Sequence, residues 1–214
     1  MPYLIPILYV IVSYTFFLLP GLFDQVVELQ IISALLPFLM GVVNLIVVLT
    51  IGRKWSRKTL LNCTLIIKYG LIPFYLIGGC ITISVTLAAL FPLPLMVLFG
   101  LVTVVFLIFG YGILLGAAPS AIAYLIKSCK EGRHSKVVVI LSGICQFLFS
   151  FDVFSMMILT IKEKHLVKTT IAVFAGVCLA ILFILLYVLC IFEENIENRS
   201  FIDDIVGRKS GGSG

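Results

Sequence analysis

Three side chains carry most of the chemistry this sequence offers: a carboxylate, an amide and an ammonium group, each set in apolar surroundings. Asp152 and Gln146 lie within residues 137–160, VVVILSGICQFLFSFDVFSMMILT. That run is long enough to cross a bilayer as one helix. On a 3.6-residue period Ser142, Cys145, Gln146, Ser150, Asp152 and Met156 share about half the circumference, while Ile140, Ile144, Phe147 and Phe151 take the other half. A carboxylate at that depth costs several kcal/mol unless it is paired, hydrated or protonated, so Asp152 is a functional-site candidate.

Lys68 has two readings. Residues 59–68 form either an interfacial approach, from which Lys68 snorkels to the headgroups, or the first turns of a long helix that carries it toward mid-membrane. The snorkelling position is preferred. In the deeper position its height differs from that of Asp152 by about 9 Å, which a Lys side chain can largely close. Such a pair would be static scaffolding, the favoured role, or a switch broken when a proton or cation titrates Asp152. Asn44 follows Ser33, Pro37 and Gly41 on one helical face, where small residues permit close contact and an amide bonds across it. The candidate substrate or ion pathway is therefore Asp152, Gln146, Ser142, Ser150, Asn44 and Lys68.

Other chemistry is missing from the sequence. There is no Walker motif, no H-E-x-x-H and no G-x-S-x-G. Asp152 has no second intramembrane carboxylate with which to build an aspartyl dyad. His134 and His165 fall in loops expected on opposite sides of a membrane, and the six cysteines are scattered without C-x-x-C spacing. Gly110-Tyr-Gly112 lacks the rest of a potassium filter and reads as glycine packing. We expect no enzyme, no metal and no cofactor.

The elements that must position these residues are apolar helices. Of 214 residues, 62% are hydrophobic and 12% charged, and the mean hydropathy is +1.24. No soluble domain of this size needs so much apolar surface. The expected fold is an all-α integral membrane protein, a polytopic bundle of about six transmembrane helices with both termini cytoplasmic. The spans are placed at about 3–19, 30–51, 69–90, 95–115, 137–160 and 169–192, with kinks or breaks at Pro37, Pro73 and 116–119. Residues 1–192 make one transmembrane domain, 193–209 a charged cytoplasmic tail, and 210–214 a flexible appended linker. The first span reads as a retained helix, because it lacks a basic leader and a small-residue cleavage site.

The net charge of +5 sits between the spans, as membrane orientation requires, and does not point to nucleic acid. Loops 52–58 and 127–136 are the strongest cytoplasmic markers and are expected to meet anionic headgroups. Loop 162–168 places three Lys outside and fits the pattern least well. Gly41, Gly112, Gly116, Gly176 and Ala180 are expected at helix contacts, within this chain, with another copy or with a partner membrane subunit.

KYGLIPFYLIGG and QFLFSFD resemble small membrane proteins of Gram-positive bacteria, a likeness that implies no activity. The expected function is a multi-pass inner-membrane carrier or permease-like subunit with a polar site around Asp152 suited to proton coupling. The alternative is a non-transporting scaffold, immunity or sensor subunit that packs against a partner.

Overall fold

The computed structural model describes residues 2–22, 27–88, 93–148, 151–164 and 166–186. All regular structure among them is helical. The chain falls into two compact units, residues 1–165 and 166–214. The first holds α1 (Leu4–Leu22), α2 (Val27–Thr50), a 3-10 turn (Gly52–Lys54), α3 (Arg57–Ala88), α4 (Leu93–Lys130), α5 (Lys136–Cys145) and α6 (Phe151–Lys162). The second holds α7 (Val167–Leu186).

Among the described residues, four helical stretches are long and apolar enough to cross a membrane: 31–50 of α2, 57–86 of α3, 97–130 of α4, and α7. Large apolar side chains cover their outer faces, among them Leu39 on α2, Ile83 on α3, and Leu101 and Ile108 on α4. A surface of that kind suits lipid and would aggregate in water. Polar termini bound the helices where the sequence provides caps. Ser56 Oγ accepts the Thr59 amide at 3.1 Å ahead of α3, and Ser135 Oγ accepts the Val138 amide at 3.4 Å ahead of α5.

The prolines do not break their helices. Pro37, Pro73 and Pro119 all lie inside continuous helices, so the expected interruption at 116–119 is absent. A bundle tolerates an interior proline because neighbouring groups take up the freed carbonyl. Next to the Leu115 carbonyl, which Pro119 leaves without its helical donor, the Gly116 carbonyl accepts from Asn44 Nδ2 at 2.9 Å. Residues 59–68 likewise are no interfacial approach. They are the opening turns of the 32-residue α3, which carries Lys68 inward, and the snorkelling position is corrected accordingly.

The break lies elsewhere. The expected span at 137–160 is two short helices rather than one. α5 ends as Gln146, Phe147 and Leu148 donate their amides three residues back, to Gly143, Ile144 and Cys145, and α6 begins at Phe151. Ten and twelve residues rise only about 15 and 18 Å. Beyond α6, Glu163 contacts Arg57 at the start of α3 and His134 just ahead of α5. Both ends of the α5–α6 hairpin therefore meet the same end of α3. Glu163 and His134, expected in loops on opposite sides, share one side.

Two apolar clusters hold this unit. Met156 and Leu159 of α6 pack with Leu60, Leu61 and Leu65 of α3 and with Ala121, Tyr124 and Leu125 of α4. Tyr9 of α1 joins Ile67, Leu71 and Phe74 of α3 and Phe109, Ile113 and Ala117 of α4. Where α2 meets α4, a Cβ on Gly116 would lie 2.9 Å from the Gly41 Cα, so only glycine admits this approach. Gly112 is closed over by the Phe38 ring. At Gly176 of α7 a Cβ meets nothing within 4 Å among the described residues.

Candidate functional site

The polar residues of the hairpin sit where its helices stop. The backbone turn after Cys145 points Gln146 inward, and α6 restarts with Asp152 in its first turn. Ser142, Gln146, Asp152 and Met156 are buried, while Ile140, Ile144, Phe147 and Phe151 are exposed. The two faces read from the 3.6-residue period survive the break. Ser150 lies outside the described residues.

Asp152 Oδ1 accepts the Val153 amide at 2.6 Å, using a free N–H of the α6 N-terminus. Its other oxygen, Oδ2, is ion-paired with Lys68 Nζ from α3. Both side chains are sealed, at 0% exposure for Lys68 and 1% for Asp152. Their depths agree. Lys68 lies eleven residues beyond Arg57, and Asp152 ten before Lys162, so each stands about 15–17 Å in from the shared polar end.

Gln146 extends the arrangement. Its Nε2 donates to the Ser142 carbonyl at 3.2 Å and to Ser155 Oγ at 3.0 Å. Ser155 Oγ in turn donates to the Asp152 carbonyl at 3.0 Å. Gln146 Oε1 is buried and accepts no hydrogen bond among the described residues. Asn44 is not part of this group. It bridges α2 to α4, the structural use favoured for its stripe.

A second polar cluster went unread in the sequence. Glu163 Oε1 is ion-paired with Arg57, accepts Tyr124 Oη at 2.7 Å, and lies 3.3 Å from His134 Nε2. Arg57 Nε also donates to Glu131 at 2.8 Å. Burial raises the affinity of the Glu163 carboxyl for a proton. The hydrogen bonds from Tyr124 and Arg57 and the positive charge of Arg57 outweigh it, leaving the pKa below the usual carboxylate range. This node clamps the open end of the hairpin to α3 and α4. Its only sequence trace is one acid in the basic run KEKHLVK.

Lys127 Nζ donates to the Trp55 carbonyl, which ties loop 52–58 to the end of α4. Cys63, Cys80, Cys129, Cys145 and Cys178 are free thiols. Among the described residues no three His, Cys, Asp or Glu side chains gather closely enough to hold a metal.

The described site is a carboxylate whose two oxygens are taken by an internal ammonium group and a backbone amide. A carboxylate is held at the end of a half-length helix, with one counter-charge from a neighbouring helix and an acceptor amide beside it. Residues 3–165 match a family model described as a family of unknown function (DUF6652), and the chain belongs to that family. No curated protein and no solved structure matches it.

Proposed function

We propose that this family member is a small multi-pass carrier of the cell membrane in which the α5–α6 hairpin is re-entrant and Asp152 at its tip takes up and releases a proton. The observation that carries the reading is the Lys68–Asp152 pair, about 15–17 Å deep, which is half the hydrocarbon thickness of a bilayer. Half-length helices that meet inside a bundle are a recurrent way to place a polar site at the midplane. Protonation of Asp152 cancels its attraction for Lys68 and frees the hairpin tip to move. Deprotonation restores the pair. The Gln146 carbonyl oxygen supplies an acceptor beside it for the arriving donor.

In this reading the end of the bundle marked by Arg57, Lys127 and Lys130 faces the cytoplasm. Lys162 and Lys164 join that side, which removes the weakest point of the charge pattern.

A scaffold is the second reading, and one observation favours it. Lys68 and Asp152 are closed off from solvent, and the helices run unbroken through Pro37, Pro73 and Pro119. Purified protein in pyranine-loaded liposomes separates the two. Under an imposed potassium diffusion potential, the carrier admits protons and Asp152→Asn stops them. Liposomes no leakier than protein-free controls would leave the scaffold.

A further inference from the structure

Between α2 and α4 runs an apolar groove of about 1140 Å³, larger than most small-ligand pockets. Gly41, Gly112 and Gly116 line it where α2 and α4 come closest, Gly112 beneath the Phe38 ring and Gly116 against Gly41. Leu49, Leu115 and Ile122 form its walls. No Asp or Glu lines it, and all three of its charged lining residues are cations: Arg53, Lys127 and Lys130. They gather at one end, where loop 52–58 meets the end of α4.

We propose that this groove binds one anionic phospholipid, its phosphate held by Arg53, Lys127 and Lys130 and an acyl chain laid along the apolar walls. The dimensions agree with that occupant. From Lys127 to Leu115 is twelve residues of α4, about 18 Å, against about 15 Å for the hydrocarbon of one leaflet. The charge distribution agrees as well. Exposed Arg53 and Lys130 leave their donors free for a phosphate, and a basic pocket beside apolar helices selects anionic headgroups over zwitterionic ones. A free phosphate ion would use the cations and leave the apolar length unexplained. A partner helix would use the apolar length and leave the cations unexplained.

The site also touches the hairpin. Phe147, next to Gln146 in the α5–α6 turn, lines the same groove, so an occupant braces the segment that holds Asp152. The lipid site stands independently of the proton-carrier reading, because it makes no use of Asp152 or its titration.

The chain's single tryptophan, Trp55, whose carbonyl accepts from the groove residue Lys127, provides the probe. Full-length protein in dodecyl maltoside is titrated with phosphatidylglycerol or phosphatidylcholine brominated on the acyl chains, and Trp55 quenching is followed. The expected result is saturable quenching by the anionic lipid at about tenfold lower concentration than by the zwitterionic one. Arg53→Gln/Lys127→Gln/Lys130→Gln should abolish that preference, and Lys162→Gln/Lys164→Gln should keep it. Circular dichroism of each variant confirms that it is folded. Equal quenching by the two lipids, no quenching by either, or full competition by inorganic phosphate would overturn the proposal. So would an unchanged preference in the triple variant.

Discussion

Lys68 and Asp152, 84 positions apart in the chain, close an ion pair between the middle of α3 and the first turn of α6, with both side chains sealed. A buried pair is weak evidence for stability, since desolvation of both ions offsets most of their attraction. Removing one partner is a different matter. Asp152→Asn strands a buried ammonium and should cost about 3–5 kcal/mol, read as a lowered midpoint in thermal or denaturant unfolding. Lys68→Met/Asp152→Leu removes both charges and should recover all but about 1 kcal/mol, the residue being the lost bond to the Val153 amide. A double variant no more stable than Asp152→Asn would mean that the pair is not the relevant unit.

The helical class, the inward faces of α2 and of the 137–160 run, and the reach between Lys68 and Asp152 are legible in composition and period. The hairpin is not. A run of 24 mostly apolar residues fits one crossing, and no Gly or Pro lies between Gln146 and Asp152 to mark the turn. At Pro37, Pro73 and Pro119 the opposite error arises, because a residue that breaks an isolated helix is tolerated in a bundle, where neighbouring groups can donate to the carbonyls it leaves unpaired. The Glu163 cluster draws on positions 57, 124, 131, 134 and 163, and no local pattern joins residues that far apart.

The glycines should separate by what surrounds them. Gly116→Ala drives a methyl against the Gly41 backbone and the Tyr9 hydroxyl, which is itself fixed by a 2.6 Å bond to the Ile113 carbonyl. Backbone cannot yield as a side chain does, so a loss of about 1–3 kcal/mol is expected. Gly79→Ala and Gly176→Ala, with open space around them, should stay within about 0.5 kcal/mol of the parent or gain from better helix propensity. Melting of the three purified variants provides the comparison.

Asn44→Leu removes the side-chain donor to the Gly116 carbonyl while keeping the volume. A loss of about 1 kcal/mol is expected, the usual worth of an interhelical hydrogen bond in a membrane bundle. Proton flux should survive, because Asn44 lies away from the Asp152 group. Abolished flux with unchanged stability would place Asn44 on the pathway after all.

Glu163 gives the molecule an acid limit. Its folded pKa lies below its unfolded value, so its contribution is present above the unfolded value, near 4.3, and fades as pH falls through the folded one. Glu163→Gln should therefore lower the melting temperature at neutral pH and converge on the parent as acid protonates the carboxyl. Arg57, Glu131, Tyr124 and His134 face this group and remain in place in both proteins. A gap that widens in acid would reverse the sign and contradict the assignment.

The most direct test of the account is proton entry into liposomes containing Lys68→Met/Asp152→Leu, compared with the parent at equal reconstitution. This variant keeps the packing and removes the titratable group, so loss of flux cannot be blamed on a collapsed fold once its melting temperature matches. The account predicts a stable protein that admits no more protons than empty liposomes. Parental flux through the stable double variant would contradict it, and the Lys68–Asp152 pair would then be scaffolding.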